Sequence, residues 1–421
     1  MSMRLAFIAL SCCATAAPPL VAAPPPAHHV QPEVTEVAIA ALVAGDFTAV
    51  ARAFEPATRP TDAQVAAVWR GKTAGLGAVV RWWIADRTFQ DGFATRIVMV
   101  ELERGTLECL LTIAPEGVAS LFVTRPAPPA AYVDRARFHD VALTIGAPPW
   151  QLPATLSLPA GAGPFPGVVL VHGSGPNDRD ETVGANKLFK DLAEGLASAG
   201  IAVLRYDKRT YTYGDQLTNT ITLDDEVVLD AIGAAHALAA RPEVDGARVF
   251  VIGHSLGAML APEIAQRAGG VAGVVLLAPP ARAPWDIVRD QMKYLNAPRE
   301  VRADVERTLV RAQLGEDTGT LMGMPMSYWQ DWANRDGIAA ARKLGARVLV
   351  LHGDRDYQVT AEDFALWQKG LAGVRGAELV SLAGDNHLFI AGHGPPTPLE
   401  YKVPAHVDER AFSRIVAWLR R

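Results

Sequence analysis

Arg248-Val249-Phe250-Val251-Ile252-Gly253-His254-Ser255-Leu256-Gly257-Ala258-Met259-Leu260-Ala261 is the stretch whose reading decides the fold. Its first five residues are a mostly apolar, β-branched run of the kind that forms a strand buried on both faces. Its last four read as the opening turn of a helix. Between them stands Gly-x-Ser-x-Gly. At a strand-to-helix turn this pattern is a nucleophile elbow: the serine takes a strained backbone that lifts its Oγ above the sheet edge, and the glycines avoid neighbouring backbone. The pattern alone is weak and gains force only with partners for the serine.

Those partners follow in order. Arg347-Val348-Leu349-Val350-Leu351-His352-Gly353 is a second buried strand, ending in Asp354-Arg355-Asp356. After the run Ala377 to Leu382 comes Gly384-Asp385-Asn386-His387. A serine hydroxyl is hardly ionised at neutral pH, so an imidazole must take its proton as it attacks, and a carboxylate must hold that imidazole in one tautomer. Ser255 is the candidate nucleophile, His387 the candidate base and Asp356 the candidate acid. Asp354 is two residues away and stays open as an alternative acid. His393 and His406 lie in Pro- and Gly-rich surroundings, and His254 reads as a packed core histidine.

The chain thus resembles the α/β-hydrolases, more narrowly the serine esterase and serine aminopeptidase-like group that carries a small domain ahead of the hydrolase. The likeness covers about residues 137–421. Besides the elbow it rests on His172-Gly173-Ser174-Gly175-Pro176-Asn177-Asp178-Arg179-Asp180-Glu181, on Leu204-Arg205-Tyr206-Asp207-Lys208-Arg209, on Gly353-Asp354-Arg355-Asp356 and on Asp385-Asn386-His387. The resemblance implies a mostly parallel sheet with a helical cap, a carboxylesterase acting on short or medium acyl esters, and no cofactor. Within the same fold an aminopeptidase or acyl thioesterase stays open, as does a binding or scaffold protein with a vestigial hydrolase domain. It also implies an oxyanion hole from the backbone N–H of Leu256 and an N–H of the loop after the third strand, at Ser174 or, next in line, Gly173. The resemblance favours Asp356 over Asp354 as the acid.

The rest of the chain fits a two-module layout. At 421 residues, half of them hydrophobic, there is enough apolar surface for one large core and a smaller one. A formal charge of −5 with scattered Lys and Arg argues against a polyanion partner. Residues 1–23, basic then apolar, read as a signal peptide, which predicts export to the periplasm or beyond. Leu10-Ser11-Cys12 hints at lipoprotein processing as a lesser alternative. Residues 24–32 are a Pro-rich spacer containing His28-His29, and 127–136 form a second linker. Residues 33–126 carry helical spacing over Val34 to Phe54, an N-cap at Thr61-Asp62 before a helix from Gln64 to Gly71, and then four alternating runs. That pattern predicts a small α+β domain and resembles the cystatin-like domains found ahead of some hydrolases, which implies a structural or dimerising role through which the chain can form a homo-oligomer.

From Phe138 onward, strands alternate with helices, the signature of a covered parallel sheet. A long helix is predicted from Leu223 to Ala240. Between about 281 and 344 the alternation stops, and the segment reads as a cap. Trp285, Tyr294 and Trp329 are its candidate pocket residues. Glu300, Asp304, Glu306, Glu316 and Asp317 are the acidic residues an aminopeptidase would need to anchor an amino terminus. No His-Glu-x-x-His, Cys-x-x-Cys or phosphate-loop pattern is present, so no metal or nucleotide site is predicted.

Overall fold

The computed structural model describes residues 32–421 apart from 91–92, 126, 218–220, 317–318 and 322. The leader, with Cys12 and Cys13, and His28-His29 of the spacer lie outside the described residues, as does Asp317. The chain divides into two compact units at Pro128–Pro129.

The first unit has helices α1 (Pro32–Ala44), α2 (Phe47–Ala53) and α3 (Asp62–Thr73), followed by strands β1 (Val79–Gln90), β2 (Phe93–Leu102), β3 (Gly105–Ala114) and β4 (Gly117–Thr124). The strands form an antiparallel meander in chain order. The single helix expected from Val34 to Phe54 is two. Gly45 turns left-handed at φ 77°, and the Asp46 carboxylate then caps α2 by accepting from Ala49 N at 3.0 Å. Thr61 and Gln64 form a reciprocal capping box that starts α3. Along β3 the period-2 pattern buries Leu107, Cys109, Leu111 and Ile113 against Ile39, Leu42 and Trp69 of the helices. Burial raises the Cys109 thiol to about 12, which makes it an inert piece of core.

The second unit is built on an eight-stranded sheet. Its strands are β5 (Phe138–Ile145), β6 (Leu152–Pro159), β7 (Phe165–Val171), β8 (Ala202–Tyr206), β9 (Val244–His254), β10 (Val271–Leu277), β11 (Arg347–Gly353) and β12 (Ala377–Leu382). They lie in the order β12-β11-β10-β9-β7-β8-β6-β5. β5 and β6 pair antiparallel, β6 meets β8 antiparallel, and the other pairings are parallel. Side chains alternate faces along each strand. Val169, Val251 and Val350 enter one core, while Leu170, Ile252 and Leu351 enter the other. Burial on both faces is why these strands read as unbroken apolar runs.

Helices α4 (Leu188–Ser198) and α12 (Glu409–Leu419) cover one face. α5 (Leu229–Ala239), α6 (Leu256–Ala268) and α11 (Ala361–Gly370) cover the other. α11, started by a capping box at Thr360, is a helix that strand alternation alone did not mark. The long helix expected from Leu223 opens instead as a π-helical turn over Asp224–Val228. The cap contains α7 (Pro284–Tyr294), α8 (Arg299–Gln313) and α9 (Met326–Ala333). α10 (Gly337–Lys343), which the sequence reading gave to the cap, packs directly on α6. A Cβ at Gly337 would stand 2.5 Å from the Met259 carbonyl oxygen.

Candidate active site

β9 delivers Ser255 to the carboxyl edge of the sheet, and α6 begins at the next residue. Ser255 has φ 51° and ψ −120°, a region that side-chain-bearing residues avoid and that occurs where surrounding structure over-determines it. The surroundings do so here. The Ser255 N–H donates to the Leu277 carbonyl of the neighbouring strand at 2.8 Å. A Cβ at Gly253 would lie 2.2 Å from the Gly257 oxygen, and one at Gly257 would lie 2.3 Å from the Val171 oxygen. Both flanking glycines are therefore required by backbone contact. Leu256 is the first residue of α6, where N–H groups have no intrahelical acceptor.

The acid and the imidazole meet. His387 Nδ1 lies 2.6 Å from Asp356 Oδ2, and both side chains are buried. Asp356 Oδ1 is held from the other side by the N–H groups of Gln358 and Val359, at 2.8 and 3.0 Å. Asp354 goes elsewhere: its Oδ1 accepts from Gly384 N at 2.7 Å and so pins the histidine loop. The loop is fixed further by Asn386, whose Oδ1 accepts from Leu388 N and Ile390 N and whose Nδ2 donates to Glu400. With a carboxylate on Nδ1, the ring keeps its proton there and presents Nε2 as the acceptor.

His254 is more than packing. Its Nδ1 lies 3.0 Å from Glu181 Oε1 and its Nε2 lies 3.0 Å from the His387 carbonyl oxygen, with the two imidazole rings 4.6 Å apart. Both ring nitrogens thus face acceptors, an arrangement that suits the imidazolium. Burial opposes that charge, but the Glu181 carboxylate outweighs it and the pKa of His254 is raised. Burial likewise works against the Glu181 carboxylate, and His254 outweighs it, leaving Glu181 lowered. Glu181 Oε1 also accepts the Gly173 N–H at 2.7 Å. Of the two N–H groups that the sequence keeps open as oxyanion donors, that of Gly173 is thus already bonded.

The charge run after the loop is tied down and not merely solvated. Arg179 pairs with Asp207 at 2.6 Å, Asp180 with Arg205 at 3.0 Å, and Asp178 accepts from Thr182 N and Oγ1. Burial pushes His172 down to about 4, so it is a neutral ring whose Nε2–H donates to the Asp178 carbonyl at 3.0 Å. Arg209 turns away to pair with Asp230.

The three aromatic cap candidates spend their contacts on the fold. Tyr294 is exposed, stacks on Tyr357 at 4.8 Å and donates its hydroxyl to the Pro396 carbonyl. Trp329 is buried against Trp332 and donates Nε1–H to the Leu321 carbonyl. Trp285 packs half-buried against the larger core. Among the described residues, no three His, Cys, Asp or Glu side chains group in a way that would hold a metal ion.

A model of the alpha/beta hydrolase family matches residues 168–400, more than half of the chain. The chain belongs to the alpha/beta hydrolase family. The esterase EstD of Thermotoga maritima is 42% identical over 331 residues, covering 76% of this chain and 78% of that protein. Among solved structures, an esterase of Pyrococcus furiosus matches with a TM-score of 0.47 at 18% identity, covering 68% of this chain and 91% of its own. An esterase of Pyrobaculum calidifontis matches with a TM-score of 0.44 at 20% identity, covering 67% and 85%.

The Glu181–His254 pair of this hydrolase gives a first test. The pair's stabilising effect is complete above the ordinary carboxylate pKa of 4.5 and below the ordinary imidazole pKa of 6.5. It fades as pH falls through the lowered Glu181 value, and as pH rises through the raised His254 value. Glu181→Gln is therefore expected to destabilise the protein by about 1–3 kcal/mol between those limits. The deficit narrows at higher pH. Urea unfolding of both proteins at a series of pH values reads it; a pH-independent difference would contradict the charged pair.

Proposed function

We propose that the protein is a carboxylesterase that cleaves short or medium acyl esters through an acyl-enzyme. The 2.6 Å contact of Asp356 with His387, on a loop bonded to the elbow through His254, carries this reading. In the first half-reaction His387 Nε2 takes the Oγ proton of Ser255 while Oγ attacks the ester carbonyl carbon. The tetrahedral oxyanion sits between the N–H groups of Leu256 and Ser174. His387 then passes the proton to the departing alkoxide oxygen, and the C–O bond breaks to leave acyl-Ser255 and an alcohol. A water molecule repeats the sequence, yielding the acid and free serine. The relatedness to an esterase at 42% identity supports an ester substrate. The cap's acidic residues give the aminopeptidase alternative little: Asp304, Glu306 and Glu316 pair with Arg307, Arg289 and Arg311. The leader at 1–23 supports export.

The test combines a probe and a substrate panel. A fluorophosphonate should label the protein at the peptide containing Ser255. Aryl acetates and butyrates should turn over at least tenfold faster than aminoacyl anilides or acyl thioesters of matched acyl group. Labelling at another residue, or preferential turnover of an amide or thioester, would replace this reading.

A further inference from the structure

Lys208 follows the end of β8, and its ammonium is buried beneath the loop that carries Ser174, the side chain being 2% exposed. Nζ lies 2.6 Å from the Gly173 carbonyl oxygen, 2.9 Å from the Gly175 carbonyl oxygen and 2.8 Å from Glu226 Oε1. The ammonium thus donates to two loop carbonyls and pairs in charge with a buried carboxylate. Asn177 Nδ2 reaches the carbonyls of Gly173, Ser174 and Gly175, each at 3.2 Å, so the loop's carbonyls all turn toward one side. In a trans peptide the C=O and the following N–H point in opposite directions. The Gly173 carbonyl faces Lys208, and the Ser174 N–H of the same peptide therefore faces away from it. The loop also touches the serine: a Cβ at Gly173 would lie 3.2 Å from Ser255 Cβ.

We propose that Lys208 is a positioning residue that polarises the Gly173–Ser174 peptide and so strengthens the Ser174 N–H as an oxyanion donor. A cation bonded to the carbonyl draws electron density from the amide and makes its N–H a better donor, the cooperative effect of linked hydrogen bonds in a low-dielectric interior. Burying an ion pair is a poor way to gain stability, since apolar replacements are often as good or better. The Lys208–Glu226 pair, with Glu226 fully buried, sits where charge matters to the chemistry instead. The π-helical turn over Asp224–Val228 is the element that brings Glu226 there. Burial first, and then the Glu226 carboxylate, raise the Tyr328 hydroxyl well above its ordinary value, so the cap helix α9 stands beside this pair. His172 and Asp230 are the other titratable groups near the ammonium.

This inference rests on Ser174 being an oxyanion donor in the proposed reaction. Its test uses the full-length protein and an aryl trifluoromethyl ketone, which adds to the serine as an ionisable hemiketal. Lys208→Met would strand the Glu226 carboxylate, so the variant of choice is the neutral double K208M/E226Q. The expected result is a fall in kcat of about 10–100-fold with KM changed less than about threefold, part of what a lost oxyanion donor costs. Fluorine NMR should show the bound hemiketal ionising about one pH unit higher than in the unsubstituted protein, a tenfold loss of oxyanion stabilisation. A lower kcat with unchanged hemiketal ionisation, or no change in either, overturns the proposal.

If the double variant does not fold, E226Q alone decides. An unbalanced ammonium should lower the hemiketal ionisation pH, and a value equal to or above that of the unsubstituted protein overturns the idea. Ser255→Ala separates the two layers. A hemiketal that still forms on Ser255→Ala removes the serine reading itself. Its loss there, with Lys208 variants indistinguishable from the starting protein, removes only the role of Lys208.

Discussion

Ser255→Ala is expected to lower kcat for an activated aryl ester by about 10⁴-fold or more and to abolish fluorophosphonate labelling. The oxygen that would form the acyl bond is gone, and Ser255 is the one hydroxyl residue of the Gly253–Gly257 elbow. The fold should hardly notice. Alanine keeps the Cβ, so the strained backbone at φ 51° carries the same steric cost in both proteins. The Gly253 and Gly257 contacts and the Ser255 N–H bond to Leu277 involve backbone alone. The unfolding free energy should therefore shift by no more than about 0.5 kcal/mol. Residual turnover above the water rate is expected, because the proposed oxyanion donors, the Leu256 and Ser174 N–H groups, are untouched by the change. Loss of turnover without loss of stability, read by ester hydrolysis and urea unfolding on one preparation, separates a chemical role from a structural one.

Much of this arrangement was legible in the residues, for identifiable reasons. Strands buried on both faces appear as apolar runs, so β7, β9, β10 and β11 stood out, and catalytic groups in such sheets gather at the carboxyl ends of strands. The elbow declared itself because two glycines are forced by backbone contact. Other features were hidden because they depend on tertiary partners. The residue types around Asp354 and Asp356 do not tell them apart; what separates their roles is that Gly384 N reaches one and His387 Nδ1 the other from a distant loop.

His254 looked like core because a buried imidazole and a bonded one share a sequence environment. Its partner Glu181 lies 73 positions earlier. Lys208 was visible only as part of a charged strand end, and its use of the Gly173 and Gly175 carbonyls follows from backbone direction, which composition does not encode. α11 escaped because its buried apolar residues, Phe364 and Trp367, are few and its capping box is formed by Thr360 with Asp363, outside the usual Glu or Gln pattern.

Asp356→Asn is the second large effect, and its cause can be traced atom by atom. In the native site Oδ1 takes two backbone N–H groups, from Gln358 and Val359, and Oδ2 takes the proton of His387 Nδ1. An asparagine must keep its single carbonyl oxygen on the two backbone donors, since an amide NH₂ placed there would oppose two N–H groups. The NH₂ then occupies the Oδ2 position and points a donor at His387 Nδ1. The ring responds by moving its proton to Nε2, the nitrogen that should accept from Ser255. A neutral histidine in that tautomer cannot act as the base, and kcat is expected to fall about 10⁴-fold with KM little changed. Asp354→Asn offers the contrast. Its carboxylate accepts from Gly384 N, which an amide oxygen does equally well, so activity should stay within about threefold. Side-by-side kinetics of the two variants, with a ring-nitrogen NMR assignment of the His387 tautomer in Asp356→Asn, test the chain of causes directly. Equal losses in both variants, or an unchanged tautomer, would reassign the acid.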